Sequence, residues 1–285
     1  MDTQIYLIKP FTNMHVGSGK ENAGIVDNTI QRDVLTHLPI INSTSLKGAL
    51  REYAKTRKKC SDDDIKYVFG KGNDKKNGKE QEDVGDINYS GNFIFYCANL
   101  LSIPARSDKY PFLNATCPLI IGDFLKQTKL LGDVISEKER NVFEKLLSIQ
   151  TEEKAICFDE AVNGAIVEFY DVKAVLQTIS KDSLAILKNW IGNNPVLVNN
   201  EVFQKNITEK LPVIARNNLE NGQSTNLWYE EIIPRETVFY TFISAPKGNR
   251  KIEFDKSVLQ IGANASVGYG FSEMYKPEKI KEELQ

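Results

Sequence analysis

The chain has 285 residues, 36 Lys and Arg against 38 Asp and Glu, a formal charge of −2, a pI near 5.9 and 41% hydrophobic residues. That content fills one large core or two small ones, and the near-neutral charge excludes a protein that grips nucleic acid over its whole surface. The four Cys, at 60, 97, 117 and 157, are spaced for neither zinc-ligand pairs nor a short disulfide framework, so reduced, packed thiols are expected.

In chain order, QIYLIKPF reads as an opening strand, followed by a loop with Gly17, Gly19 and Gly24. STSLKGALREYAK reads as a helix, because Leu46, Leu50, Tyr53 and Ala54 recur at helical spacing and Ser43 or Ser45 can cap its start. From Lys47 to Lys59 the basic residues Lys47, Arg51, Lys55, Arg57, Lys58 and Lys59 face one acid, Glu52. That is a basic helical face, which a solvated helix end also explains. Gly70 to Asp86 is polar, Gly-rich and charged, the composition of a mobile loop. Strand character returns in NFIFYCANLLSIPA; Ser136 and Glu139 form a capping-box pair ahead of a second helix, and a third begins near Ser180.

The segment from Asn199 to Asn226 reads as an insertion, with Asn217, Asn218, Asn221 and Gly222 at the turn of a protruding hairpin. TVFYTFISA and VLQIG are expected strands before the Gly-rich GANASVGYGF. Strands, then helices, then strands point to an α+β chain built on split βαβ units with long insertions. With neither a leader pattern nor a run of about eighteen apolar residues, a soluble, cytoplasmic protein is expected.

Two nucleotide motifs fail. HVGSGKENAG would need Gly in place of Met14 and Ser or Thr in place of Glu21 to be a phosphate-binding loop, and Asn22 stands where a dinucleotide fingerprint needs its third Gly. With only His15 and His37 present, a multi-His metal site would have to use both. GYGF at Gly268 to Phe271 matches the centre of the RNP1 pattern, but its flanks do not. Gly262, Gly268 and Gly270 permit positive φ and close backbone approach, which suits a loop around a phosphodiester chain and equally a plain tight turn. In GIVDNTIQRD the acid Asp27 stands alone, ahead of Arg32 and Asp33.

Taken together, HVGSGKENAGIVDNTIQRDVLTHLPIINSTSLKGALR resembles the N-terminal signature of RAMP-superfamily backbone subunits in type III CRISPR effectors. LLSIPARSDKYPFLNATCPLI and LWYEEIIPRETVFY are similar to the type III-B version, found in the Cmr complex, and QIGANASVGYGF resembles the superfamily's Gly-rich loop. The resemblance implies one RAMP-type domain over 1–285, with an RRM-like (ferredoxin-like) palm, a mobile loop at about 70–86 and a β-hairpin thumb at about 199–226. It implies copies stacked in a filament along a CRISPR RNA, beside the large polymerase-like subunit and the small subunit. Complementary target RNA would then be cut at regular intervals, and no membrane is involved.

The acid of the family's cleavage position maps to Asp27, as a ligand of a divalent ion, Mg²⁺ or Mn²⁺, or as a base. His15 is a second candidate for proton transfer, and Tyr229 with Glu230 a third group near the site. Guide phosphates are expected on Ser45, Lys47 and Arg51 at the helix start, on Arg32, and along Gly262, Gly268 and Gly270. Asp33 is expected to be structural, a partner of Arg32 or of turn amides. The alternatives are a binding-only backbone subunit, a stand-alone RAMP-type precursor-RNA endonuclease using His15, and, from another class, a small-molecule enzyme.

Overall fold

Val238–Ala245, rich in β-branched and aromatic residues, forms a strand buried along all but its last residue. Continuous burial of this kind means that both faces of the sheet are covered. A computed structural model of the chain describes residues 1–21, 25–71, 90–151, 155–168, 172–248 and 252–278. In it the central strand pairs antiparallel with Asp2–Pro10, in the register Ile5 to Phe242 and Leu7 to Tyr240, and with Ala98–Ala105 on its other side. Phe271–Tyr275 lies outside Asp2–Pro10, with Ser257–Gln260 at the edge. Beyond Ala98–Ala105 the sheet runs through Leu113–Thr116, Pro195–Leu197, Ala155–Cys157, Val172–Leu176 and Ile166–Val167. The result is a mixed α/β architecture around one large sheet.

The helix Ser43–Thr56 buries Leu46, Leu50 and Ala54, as their spacing predicts. Its start differs from expectation. The N-cap is Asn42, with no side-chain capping bond, and the Ser45 hydroxyl instead accepts from Gln31 Nε2 at 3.0 Å. Ser136 and Glu139 do close a capping box on Glu137–Leu147, and Ser180 caps Lys181–Trp190. These two helices pack with Pro118–Leu130 around Phe124, whose ring lies edge-on to Phe143, Trp190 and Tyr240 at centroid distances of 4.9, 5.2 and 5.1 Å. Trp190 Nε1 donates to Glu139 Oε1 at 2.9 Å, so the capping box also seats the third helix.

All four Cys are free thiols, and burial pushes the Cys117 thiol up to about 12, which makes it inert. Among the described residues no helix is long and apolar enough to cross a membrane.

A second sheet of four strands stands apart: Val213–Glu220, Gln223–Glu231, Asn28–Ile30 and Gly17–Glu21, in that order. Gly17 and Gly19 therefore sit in a strand rather than the expected loop, while Gly24 lies outside the described residues. The hairpin turns at Asn221 and Gly222, both at positive φ, whereas Asn217 and Asn218 lie within its first strand. It begins later than the sequence suggested, because Asn199 to Lys210 forms helical turns that bury Phe203 and Ile207. The stretch expected to be a mobile loop falls, from residue 72 onward, outside the described residues.

A candidate cleavage and RNA-binding site at the hairpin base

Asp27 immediately precedes the strand Asn28–Ile30, which runs parallel to the second hairpin strand with Asn28 opposite Glu230. That register sets Asp27 beside Tyr229, and the Tyr229 amide donates to Asp27 Oδ2 at 2.7 Å. The Asp27 side chain is exposed, so its carboxylate is fixed on one oxygen while facing solvent. Asp33, six residues on, is spent locally: Oδ1 accepts from the amides of Leu35 and Thr36 and from the Thr36 hydroxyl. Burial pushes its carboxyl up, but those bonds outweigh it and hold the group below the usual carboxylate range.

His15 is buried, 5% exposed. Its Nδ1 lies 2.7 Å from the Glu231 carbonyl, which can only accept, so Nδ1 carries the proton and Nε2 is the basic nitrogen. Nε2 faces Gly17, where an added Cβ would approach to 3.0 Å. Tyr229 is 38% exposed beside Asp27. Glu230 is engaged on every side: Arg216 Nη1 donates to Oε2 at 3.1 Å, Trp228 Nε1 to Oε1 at 2.8 Å and Asn264 Nδ2 to Oε2 at 2.9 Å. Burial pushes the Glu230 carboxyl up, but the bonds from Trp228 and Arg216 and the charge of Arg216 more than offset this and hold it low. Geometry therefore makes Glu230 a clamp between the hairpin and the Gly-rich loop.

The expected phosphate ligands divide into tethered and open groups. Arg32 pairs with Glu231 and also donates to the carbonyls of Thr208, at 2.8 Å, and His37, at 3.0 Å, so its charge is balanced internally. Arg51 Nη1 donates to the Gly70 carbonyl at 3.0 Å. Lys47 extends over the Phe95 ring, its Nζ 5.9 Å from the centroid. With no side-chain cap and no acid in its first turn, the Ser43–Thr56 helix keeps its leading amides uncancelled beside Lys47.

In the Gly-rich loop, Gly262 (φ 89°) and Gly270 (φ 76°) are needed by the fold, since a Cβ would meet the His15 carbonyl at 2.3 Å or the Ile261 carbonyl at 2.0 Å. Gly268 (φ 85°) faces open space. Gln31, Arg216, Trp228, Glu231 and Asn264 hold the site together but were not legible as such. The one sequence signal was the Glu230–Glu231 pair, which strand alternation sends to opposite faces.

Among the described residues no group of three or more His, Cys, Asp or Glu is arranged to hold a metal ion. Asp27 is an exposed carboxylate oxygen donor, the kind a hard divalent ion takes while keeping its waters.

The RAMP superfamily profile matches residues 7–273, and the chain belongs to that superfamily. The CRISPR system Cmr endoribonuclease Cmr4 of Pyrococcus furiosus is 31% identical over 287 residues, spanning 91% of this chain and 90% of that protein. Among solved structures, a chain of the type III-B Cmr-beta complex bound to cognate target RNA has the same fold, with a TM-score of 0.76 at 20% identity over 96% of this chain and 97% of that one. Oligomeric Cmr4 from Pyrococcus furiosus superposes with a TM-score of 0.68 at 23% identity over 96% and 98% of the two chains.

Proposed function

We propose that the chain is a backbone subunit of a type III-B CRISPR effector, which binds CRISPR RNA in a filament of its own copies and cleaves complementary target RNA at regular intervals. One observation carries the reading: in a RAMP-superfamily chain 31% identical to a Cmr endoribonuclease, Asp27 is an exposed carboxylate held by a backbone amide at the root of a projecting hairpin. The partners are the guide, the target, further copies, the large polymerase-like subunit and the small subunit, and the compartment is the cytoplasm.

In this reading the single domain is an RRM-like palm carrying a thumb. Its support is the adjacent antiparallel order Phe271–Tyr275, Asp2–Pro10, Val238–Ala245, Ala98–Ala105, with the helix Ser43–Thr56 between the second and fourth of these. This is the strand order of a split βαβ fold. The hairpin Val213–Glu231 is the thumb.

In the chemistry, the 2′-hydroxyl of the target attacks the adjacent phosphorus in line; the O2′–P bond forms, the P–O5′ bond breaks, and the departing O5′ gains a proton. Asp27 draws the 2′ proton, or would be the residue that holds a divalent ion, Mg²⁺ or Mn²⁺, which would supply neutralisation of phosphate charge. His15, with its tautomer fixed by Glu231, orders the floor of the site, and Tyr229 lines its wall. Lys47 and the adjoining helix amides take guide phosphate, joined by Arg51, Arg32 and the loop at Gly268.

The test is to assemble the chain with its partner subunits and a guide, then size the fragments of a complementary RNA. Asp27→Asn should leave guide content and target affinity intact while the cleavage rate falls by about two to four orders of magnitude. Asp33→Asn should still cut. Cleavage by the Asp27 variant at the parent rate would overturn the assignment.

A further inference from the structure

Beside the groups already assigned stands a buried carboxylate with no role in the chemistry above. Glu231 is 7% exposed, on the strand face opposite Glu230. Its Oε2 accepts the amide of Ile30 at 3.1 Å, its Oε1 pairs with Arg32, and its backbone carbonyl receives His15 Nδ1. Ile30 is the last residue of the short strand that Asp27 leads into. That strand is attached to the hairpin at two points besides its single ladder pair: at its head by Asp27 itself, through the Tyr229 amide, and at its tail by the Glu231 side chain. On its other side the strand pairs with Gly17–Glu21 through an irregular ladder, Ile30 opposite Gly17 and Asn28 opposite Glu21, so Glu231 is what anchors its tail on the hairpin side. Loss of the tail contact would leave a buried amide unsatisfied and loosen the strand on its hairpin side, the side that holds Asp27.

We propose that Glu231 is a positioning residue for cleavage, acting through the Ile30 amide to fix the strand that aims Asp27. Arg32 supplies the balancing charge that a buried carboxylate requires. The inference rests on the reading of Asp27 as the cleavage residue, and it makes the hairpin root and the cleaving acid one mechanical unit. A reacting group displaced by about 1 Å can lose on the order of a hundredfold in rate.

The experiment compares Glu231→Leu with Glu231→Gln in the assembled, guide-loaded complex, with Asp27→Asn alongside. Both Glu231 variants remove the charge facing Arg32; only Gln keeps an acceptor for Ile30. The expected result is single-turnover cleavage about 30- to 100-fold slower for Leu and within about threefold of the parent for Gln, at unchanged guide content and target affinity. Before RNA is added, amide exchange across Asn28–Ile30 should accelerate in the Leu variant only. Equal losses in the two variants, parent-like cleavage and exchange in the Leu variant, or failure of the Leu complex to assemble while Gln assembles would each overturn the positioning role. An inactive Asp27→Asn beside a fully active Glu231→Leu sinks this inference alone, whereas an active Asp27→Asn sinks the reading beneath it.

Discussion

Val238–Ala245 and Val213–Glu220 are strands of eight residues each, yet the first is buried almost throughout and the second exposed almost throughout. The central strand is held by what it hides, with Phe239, Tyr240 and Phe242 all sealed in the core. The hairpin is held by its turn and by polar clamps at its root, and it leaves Val213, Leu219, Leu227 and Tyr229 in solvent. Side chains that the fold does not need, on a projecting element, are available to a bound partner. The comparison also bears on the proposed site. Asp27, Glu230 and Glu231 lie where the sealed sheet gives way to the open hairpin, so the acid borrows rigidity from one side and access from the other.

The largest effect that separates the two regions should come from the core. Phe124 is fully buried against three aromatic rings. Phe124→Ala should lower the unfolding free energy by about 3–5 kcal/mol, measured by denaturant titration, while the hairpin ladder stays formed in the surviving native state. A loss under about 1 kcal/mol would mean that this cluster does not hold the sheet.

A smaller effect, with a pH signature, belongs to the root of the hairpin. The folded Glu230 carboxyl titrates below its ordinary value, so its ionised form contributes stability that is fully present above about pH 4.3 and disappears as the pH falls through the lowered folded value. Glu230→Gln should be less stable at neutral pH by about 1–3 kcal/mol, because Arg216 and Asn264 lose a charged acceptor. Its stability should also decline less steeply than the parent's on acidification below about pH 5. Parallel acid limbs for the two proteins would remove Glu230 as the clamp.

The sequence was legible where structure is local. The helix at Ser43 follows from the spacing of Leu46, Leu50 and Ala54, the capping box from Ser136 and Glu139, and the hairpin turn from Asn221 and Gly222. It was silent where structure depends on distant partners. Gly17–Glu21 looks like a Gly-rich loop until it pairs with Asn28–Ile30, and Pro195–Leu197 is too short to declare itself without Leu113–Thr116 beside it. Asp27 could be singled out by resemblance alone. The groups that hold it could not, because the bond from Ile30 to Glu231 joins residues 201 positions apart and exists only in one strand register. Arg32 shows the same limit: its charge suggested a phosphate, while its pairing with Glu231 across the fold could not be read from the sequence.

The smallest effect tests the hairpin at its tip. Asn221 and Gly222 have φ of 51° and 81°, the pair of positive values that a type I′ turn needs, and nothing lies within 4 Å of a Cβ built on Gly222. A side chain there would meet no steric clash, so its penalty is backbone strain alone, about 1–2 kcal/mol for a residue held in the left-handed region. In the central sheet such a penalty would be charged to the whole fold. In the hairpin it should stay local, because Leu219 and its neighbours touch little else. Gly222→Val should therefore shift the global unfolding midpoint hardly at all while accelerating amide exchange from Arg216 to Trp228, and in the assembled complex it should blur the spacing of target fragments before it lowers their total yield. A global midpoint that drops with the exchange rate would show the hairpin to be part of the cooperative core after all, and the division between sealed sheet and open hairpin would have to be abandoned.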